Sequence, residues 1–201
     1  THQFSRKVID RAMTIEMNGG KLKDMFGSSA KLEYREEDKL MTIDDFMAKY
    51  VSADEALGKS ALRRVADVVK EKLPTRLDEI NTCLENTPFQ VSYRVLNELV
   101  IYLAVLADDN GVEELDELID RAIDDITLMK ILPRIEGDEE LLKHEGKSRL
   151  QTLRDIMPQF VEKTQNSDGV EETKTLEGRS QKKLAEMDMR LSAMSFTRFW
   201  P

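Results

Sequence analysis

Cysteine is all but missing from this chain. Cys83 stands alone among 201 residues, so no disulfide can form within the chain and a cytosolic setting is expected. Proline (5) and glycine (9) are few, and aromatics make up 6%. With so few turn formers and so many Leu, Ala, Glu, Lys, Asp and Met, helices are expected rather than a β-rich fold. No apolar run nears the roughly 20 residues that a membrane helix requires. The start, Thr-His-Gln-Phe-Ser-Arg-Lys, has no apolar signal core. It also lacks an initiator Met, which suggests a trimmed chain or a fragment. Positive charge is in deficit: 30 Lys and Arg face 39 Asp and Glu, for a net charge of −9. Bulk charge therefore argues against wrapping DNA or lying on an anionic membrane. What remains, 40% hydrophobic and 34% charged residues, suits a soluble globular protein of one or two domains.

Residues 4–11 are predicted to form a short helix, and the alternation in 12–17 predicts a half-buried strand ended by Asn18-Gly19-Gly20. Residues 21–41 are weakly periodic and read as a loop or insertion. Thr42, with Asp44 and Asp45, marks a helix start that turns Ile43, Phe46, Met47 and Tyr50 inward. A helical face of Leu57, Ala61, Leu62, Val65, Val68 and Val69 runs from Ala53 to about Leu73, where Pro74 is expected to break it. A second helix is expected from Thr75 to Glu85. Ser92 opens a long helix to about Ala107 that is apolar nearly all round, as at the centre of a bundle. Residues 113–131 form an acidic amphipathic helix stopped by Pro133. Nine acids and one base lie between Asp108 and Asp125, and the plain reading of that run is a solvated face. Residues 138–160 read as helix. Residues 162–178 have too few aliphatic residues to hold themselves in place and read as a flexible linker. A last helix, about 179–194, carries Leu184, Met187, Leu191 and Met194 and ends in Ser-Phe-Thr-Arg-Phe-Trp-Pro.

Two fragments imitate a phosphate-binding loop, Gly58-Lys59-Ser60 and Gly146-Lys147-Ser148. That loop needs an earlier glycine five positions back and a strand leading into it. Positions 53 and 141 are Ala and Leu, and both fragments lie inside helical patterns. The run Leu103 to Ala107 before Asp108-Asp109 imitates a strand with Mg²⁺-binding acids, but it continues the helix begun at Ser92. His2, His144 and Cys83 are scattered and have no metal-ligand spacing. Neither Cys83 nor any serine has an evident base. Lys174, Arg179, Lys182, Lys183, Arg190 and Arg198 give the C-terminal part a mild basic bias, best read as a solvated helix face. Arg11 ends a short helix ahead of a strand, and Arg94 sits in the first turn of the most apolar helix. Each, taken alone, reads as an ordinary salt bridge or cap.

Four phrases carry a resemblance. Phe4-Ser5-Arg6-Lys7-Val8-Ile9-Asp10-Arg11 through Glu16 resembles the stretch after the sensor-1 strand in AAA+ ATPases related to the McrB motor of modification-dependent restriction systems. Phe89-Gln90-Val91-Ser92-Tyr93-Arg94 through Glu98 resembles the sensor-2 helix that opens their lid. Met129-Lys130-Ile131-Leu132-Pro133-Arg134-Ile135-Glu136-Gly137 is similar to a Lys-(Ile/Val)-Leu-Pro-basic-x-x-Gly phrase further along such lids. Ser180 through Trp200 resembles their C-terminal helix and aromatic end.

The resemblance implies a C-terminal piece of an AAA+ ATPase or GTPase. The phosphate loop, the Mg²⁺-binding acids and the sensor-1 residue would lie before Thr1. It implies a mainly α chain: a helical bundle like an AAA+ lid, with a short N-terminal strand remnant of an α/β core. Residues 1–20 would end the core, 21–88 would be an insertion and helical segment, 89–161 the lid, 162–178 the linker and 179–201 the C-terminal helix and tail. Arg94 would be sensor 2, touching the γ-phosphate held by its own subunit. Arg11 would be the arginine finger, reaching a neighbour's nucleotide; Asp10 stands where many AAA+ proteins have a second arginine. ATP or GTP with Mg²⁺ would be bound by the full-length protein and none by this chain alone. Neighbouring subunits of a homo-oligomeric ring, and a partner nuclease, would be its partners, with DNA contacted elsewhere in the complex and no membrane involved. The competing reading is a freestanding helical interaction module without enzymatic activity.

Overall fold

The computed structural model describes residues 5–16, 43, 51–165 and 171–200. The chain divides into one unit of residues 1–14 and 52–201 and a second of residues 15–51. In the second unit only Ile15, Glu16, Ile43 and Val51 are described, with Ile15 and Ile43 exposed. The loop expected over 21–41 and the helix expected from Thr42 therefore lie outside the described residues, apart from Ile43.

The first unit is mainly helical, as expected. Its order is α1 (Arg6–Ile9), α2 (Ala53–Lys59), a 3-10 turn (Ala61–Val65), α3 (Ala66–Cys83), α4 (Tyr93–Asn110) and α5 (Leu115–Ile126). A π-helical turn (Thr127–Ile131) and a 3-10 turn (Leu132–Arg134) extend α5. Then come β1 (Glu136–Asp138), α6 (Glu139–Leu142), β2 (Lys143–His144), β3 (Lys147–Ser148) and α7 (Arg149–Ile156). The chain closes with β4 (Gln159–Gln165), β5 (Glu171–Glu177), α8 (Arg179–Met194) and β6 (Phe196–Arg198). The strands form three antiparallel pairs, β1 with β6, β2 with β3 and β4 with β5. Among the described residues no helix is long and apolar enough to cross a membrane.

α4 is the central element. Val95, Leu99, Val100, Leu103, Ala104, Leu106 and Ala107 are buried along it, against α2, α3 and α5. Its polar positions close neighbouring helices. Asn97 Oδ1 accepts from Ala53 N at 2.8 Å and Asp108 Oδ1 from Ala61 N at 2.7 Å, taking up N–H groups that a helix start leaves without partners. The run 103–107 lies within α4, as its helical pattern implied.

Several expectations need correcting. Pro74 does not break a helix: α3 runs through it, while the real interruption falls at Ser60, whose backbone is extended. A proline inside a helix costs about 3 kcal/mol. Val69, Leu73, Leu77 and Ile80 are buried on both sides of Pro74, and each such burial contributes roughly 1.5–3 kcal/mol, so packing overrides the local break. Residues 138–160 are not one helix. A hairpin, β2–β3, interrupts them at Glu145 (φ 50°) and Gly146 (φ 77°), two successive positive φ values of the kind a two-residue hairpin turn requires. Of the apolar residues that the last helix carries, Leu184, Met187 and Leu191 are buried and Met194 is 73% exposed. The strand expected over 12–17 is not seen in its described part, 12–16. A strand needs a ladder, and Thr14 N donates instead to Met129 O of the π-turn.

Of the stretch read as a flexible linker, 162–178, residues 162–165 and 171–177 belong to the paired strands β4 and β5, and 166–170 lie outside the described residues. Apolar content is indeed low there, but the ladder satisfies the backbone, and the register sets Phe160 against Leu176 and Glu162 against Lys174. An apolar pair and an opposite-charge pair each support an antiparallel ribbon. An Arg154–Glu177 ion pair ties its base to α7.

Candidate anion-binding site

Four basic and acidic side chains from distant parts of the sequence meet at one place. Asp10 follows α1, Arg94 lies in the first turn of α4, Lys130 in the π-turn, and Arg134 ends the 3-10 turn. Arg94 Nη1 is 3.4 Å from Asp10 Oδ2, and Arg134 Nη1 is 3.6 Å from Asp10 Oδ1. Two guanidiniums thus share one carboxylate, each through a different oxygen. Both contacts are long. Arg94 and Asp10 are exposed enough, at 47% and 42% of their side chains, that such a pair is worth only about 0–1 kcal/mol.

Lys130 forms the floor. Its side chain is 2% exposed, and its Nζ lies 2.8 Å from Glu98 Oε2 and donates to Asp10 O at 3.1 Å. A buried ammonium is tolerated only when paired and hydrogen-bonded. The π-turn brings it there. Leu132 N donates to Thr127 O, five residues back, and such single-turn widenings of a helix recur at functional sites. Arg134 is braced further, donating through Nη2 to Gln90 O at 3.3 Å. Gln90 is held in turn by its neighbour Val91, which exchanges two hydrogen bonds with the Asn81 side chain. With Lys130 neutralised by Glu98, Asp10 is left facing both guanidiniums.

Of the residues singled out in the sequence, Arg94 is part of this cluster. Arg11 is next to it in the chain and exposed, and among the described residues its side chain has no ion pair. Lys130 and Arg134 were read only as letters of a phrase. The signal that could have found Lys130 is its place between Leu128-Met129 and Ile131-Leu132-Pro133, where a lone lysine must find a buried partner.

The imitation phosphate loops have other employment. Lys59 pairs with Glu55 within α2, and Ser60 caps the following turn by accepting from Leu62 N. Gly146-Lys147-Ser148 lies in the β2–β3 turn and strand rather than in a helical pattern, which corrects that expectation. Ser148 caps α7 and donates to Asp188 Oδ1. His144 is exposed in β2, and burial pushes the Cys83 thiol up.

A cleft of about 580 Å³ lies between α3, α5 and the end of α7. Lys72–Asp116 and Arg76–Asp120 ion pairs cross it, so its basic side chains are already matched. Burial raises the Asp120 carboxyl there.

The acidic run of α5 is not wholly a solvated face. Asp124 and Asp125 are 3% and 6% exposed. Asp124 accepts from the backbone of Arg179 and Ser180, while Asp125 pairs with Arg179 and accepts from Tyr102 Oη at 2.7 Å. Burial, reinforced by the hydrogen bond to Asp125, pushes the Tyr102 hydroxyl up to about 12. These acids are occupied by structure.

Residues 43–196 match the model of a family described as a domain of unknown function, DUF8727. The chain belongs to this family. Arg94, Glu98, Lys130 and Arg134 lie inside the DUF8727 match, whereas Asp10 and Arg11 precede it. No curated protein and no solved structure matches the chain.

Proposed function

We propose that this chain is the C-terminal part of an AAA+ NTP-hydrolysing motor related to McrB, acting in DNA restriction or defence in the cytoplasm. One observation supports the reading above others. Three of the phrases that carry the resemblance, those holding Asp10–Arg11, Arg94 and Lys130–Arg134, are far apart in sequence and yet meet at Asp10. Paired guanidiniums are the donor set suited to phosphate oxygens.

In this reading Arg94 is sensor 2, donating to the γ-phosphate of nucleotide held by its own subunit, and exposed Arg11 is the finger offered to a neighbouring subunit of a homo-oligomeric ring. ATP or GTP with Mg²⁺ supplies the phosphoryl group and its charge neutralisation. The phosphate loop and the metal-binding acids belong to other parts of the full-length protein. A partner nuclease, and DNA contact made elsewhere in the complex, complete the proposal.

The test is nucleotide turnover by the full-length protein. Arg11→Ala should lower it at least ~10²-fold, a cautious figure beside the roughly 10³–10⁵ that a finger contributes in well-studied GTPases. Mixing Arg11→Ala subunits with subunits lacking a working phosphate loop should restore part of the activity. Arg94→Ala should show no rescue at nucleotide held by the mutant subunit. Unchanged turnover in assembled Arg11→Ala rings would refute the finger assignment. A second reading, a helical interaction module without activity, is favoured by exposed Met189, Met194 and Phe196 around the end of α8. A full-length protein that binds and hydrolyses no nucleotide would select it.

A further inference from the structure

We infer that Arg94 and Arg134 form a two-pronged clamp for a polyphosphate oxyanion, and that Asp10 is its resident, displaceable counter-ion. The inference deepens the proposed motor reading, from which it takes only the expectation that the polyphosphate belongs to a nucleotide.

Three features point to displacement rather than to a permanent tie. First, Asp10 spreads one carboxylate across two guanidiniums, at 3.4 and 3.6 Å. A carboxylate engaged bidentately by one arginine makes two short parallel bonds; here each guanidinium meets it through Nη1 alone, and Nη2 of Arg134 is turned to Gln90 O instead. A phosphate with several charged oxygens can serve both forks at once. Second, the backbone of Asp10 is fixed independently of its side chain, because buried Lys130 holds its carbonyl. The carboxylate can rotate away without releasing the segment. Third, the two arginines are carried by separate elements, and one of them has a second anchor. Arg94 is carried by the first turn of α4, and Arg134 is anchored to Gln90 O through its other nitrogen. Arg134 therefore keeps its place when the carboxylate leaves, and the Arg94 side chain is released to turn to the incoming anion. Arg134 is thereby a binding residue in its own right, alongside Arg94.

Binding of tripolyphosphate to the 201-residue chain, measured by calorimetry beside ATP and GTP, tests this. Asp10→Asn removes the competing charge and keeps the size of the side chain; it should tighten tripolyphosphate binding by about tenfold, the scale of one charge-assisted contact. Arg134→Ala and Arg94→Ala should each weaken binding by about tenfold or more, and Arg134→Lys should recover only part, since an ammonium lacks the fork. Melting temperatures identify any variant that fails to fold, and Asp10→Asn carries the decision if an arginine variant does. Unchanged or weaker binding by Asp10→Asn, with folding intact, would overturn the counter-ion role. Unchanged binding by folded Arg134→Ala would overturn the clamp. If tripolyphosphate responds as expected while the full-length protein hydrolyses neither ATP nor GTP, the clamp stands and the motor reading falls. If full-length turnover depends on Arg94 while Asp10→Asn and Arg134→Ala change neither binding nor turnover, the motor stands and the clamp falls.

Discussion

Asp124 closes the start of α8 against Ser180: its Oδ1 accepts from Ser180 N at 3.0 Å and also from the Ser180 hydroxyl, while Oδ2 accepts from Arg179 N at 3.0 Å. One buried carboxylate from α5 thus satisfies two backbone donors that a helix start leaves open, and its charge sits at the positive end of the helix. Gly178, just before α8, leaves the room for it.

Asp124→Ala should therefore destabilise strongly. The loss combines a helix cap, roughly 0.5–2 kcal/mol, with buried N–H groups left unpaired, roughly 1–3 kcal/mol. Gly178→Ala should cost about 2 kcal/mol or more by a different route. A Cβ there collides with the Asp124 carboxylate and comes within 3.1 Å of Phe160 Cε2. Urea unfolding measures both. Because the two changes act on one contact, the double variant should lose less than the sum; full additivity would show that the cap is not shared.

Tyr102 makes stability depend on alkaline pH. Its folded-state value is raised to about 12 by burial first and then by the hydrogen bond to Asp125, against ~10 in an unfolded chain. Tyrosine is neutral when protonated, so between these values the folded state holds a proton that the unfolded state has released. Stability then falls as pH rises. Its contribution is complete below pH ~10 and is lost on passing through about 12. Urea midpoints across this window should decline more steeply for the unmodified chain than for Tyr102→Phe. Equal slopes would show that the hydroxyl is not held by Asp125.

What could be read from the sequence follows how local its causes are. The bounds of α8 come from Gly178 before it and its own apolar spacing, and the expected 179–194 agrees with Arg179–Met194. The start of α4 is likewise marked by Ser92. Pro74 was misread because its helix is kept by Val69, Leu73, Leu77 and Ile80, whose partners lie elsewhere in the chain. The described parts of 162–178 are paired strands rather than a linker, which the sequence does not announce because a ribbon's backbone pairing leaves little trace in apolar content. Asp124 and Asp125 read as surface in the sequence because nothing nearby announces that the start of α8 will meet them. The basic cluster is the extreme case. Arg94 lies 84 residues from Asp10, and Lys130 lies 120 residues from it. Each reads as an ordinary charge until the fold joins them.

The C-terminal tail offers a separable test of how the cluster's surroundings are held. Phe199 is 1% exposed, packs edge-on against Trp200 with ring centroids 4.8 Å apart, and lies under Lys183 Nζ at 4.6 Å. Arg190 Nη1 donates to Arg198 O and Trp200 O, each at 2.9 Å, so the backbone on either side of Phe199 is clamped as its ring is buried. The same segment supplies β6, which pairs Thr197 with Gly137 in β1, and β1 begins two residues after Arg134. Phe199→Ala should cost about 3–5 kcal/mol, as large-to-small changes of buried Phe do. Phe196, 47% exposed in β6 just before it, is the control: Phe196→Ala should change stability by about 0.5 kcal/mol or less, as at ordinary surface sites. Hydrogen exchange separates local from global loss. If the ring is what fastens β6, amides of residues 136–138 should exchange faster in Phe199→Ala than those of Leu99 and Leu103 in the core of α4. Acceleration shared equally by both regions would mean that the ring supports the whole bundle and not the β1–β6 pairing.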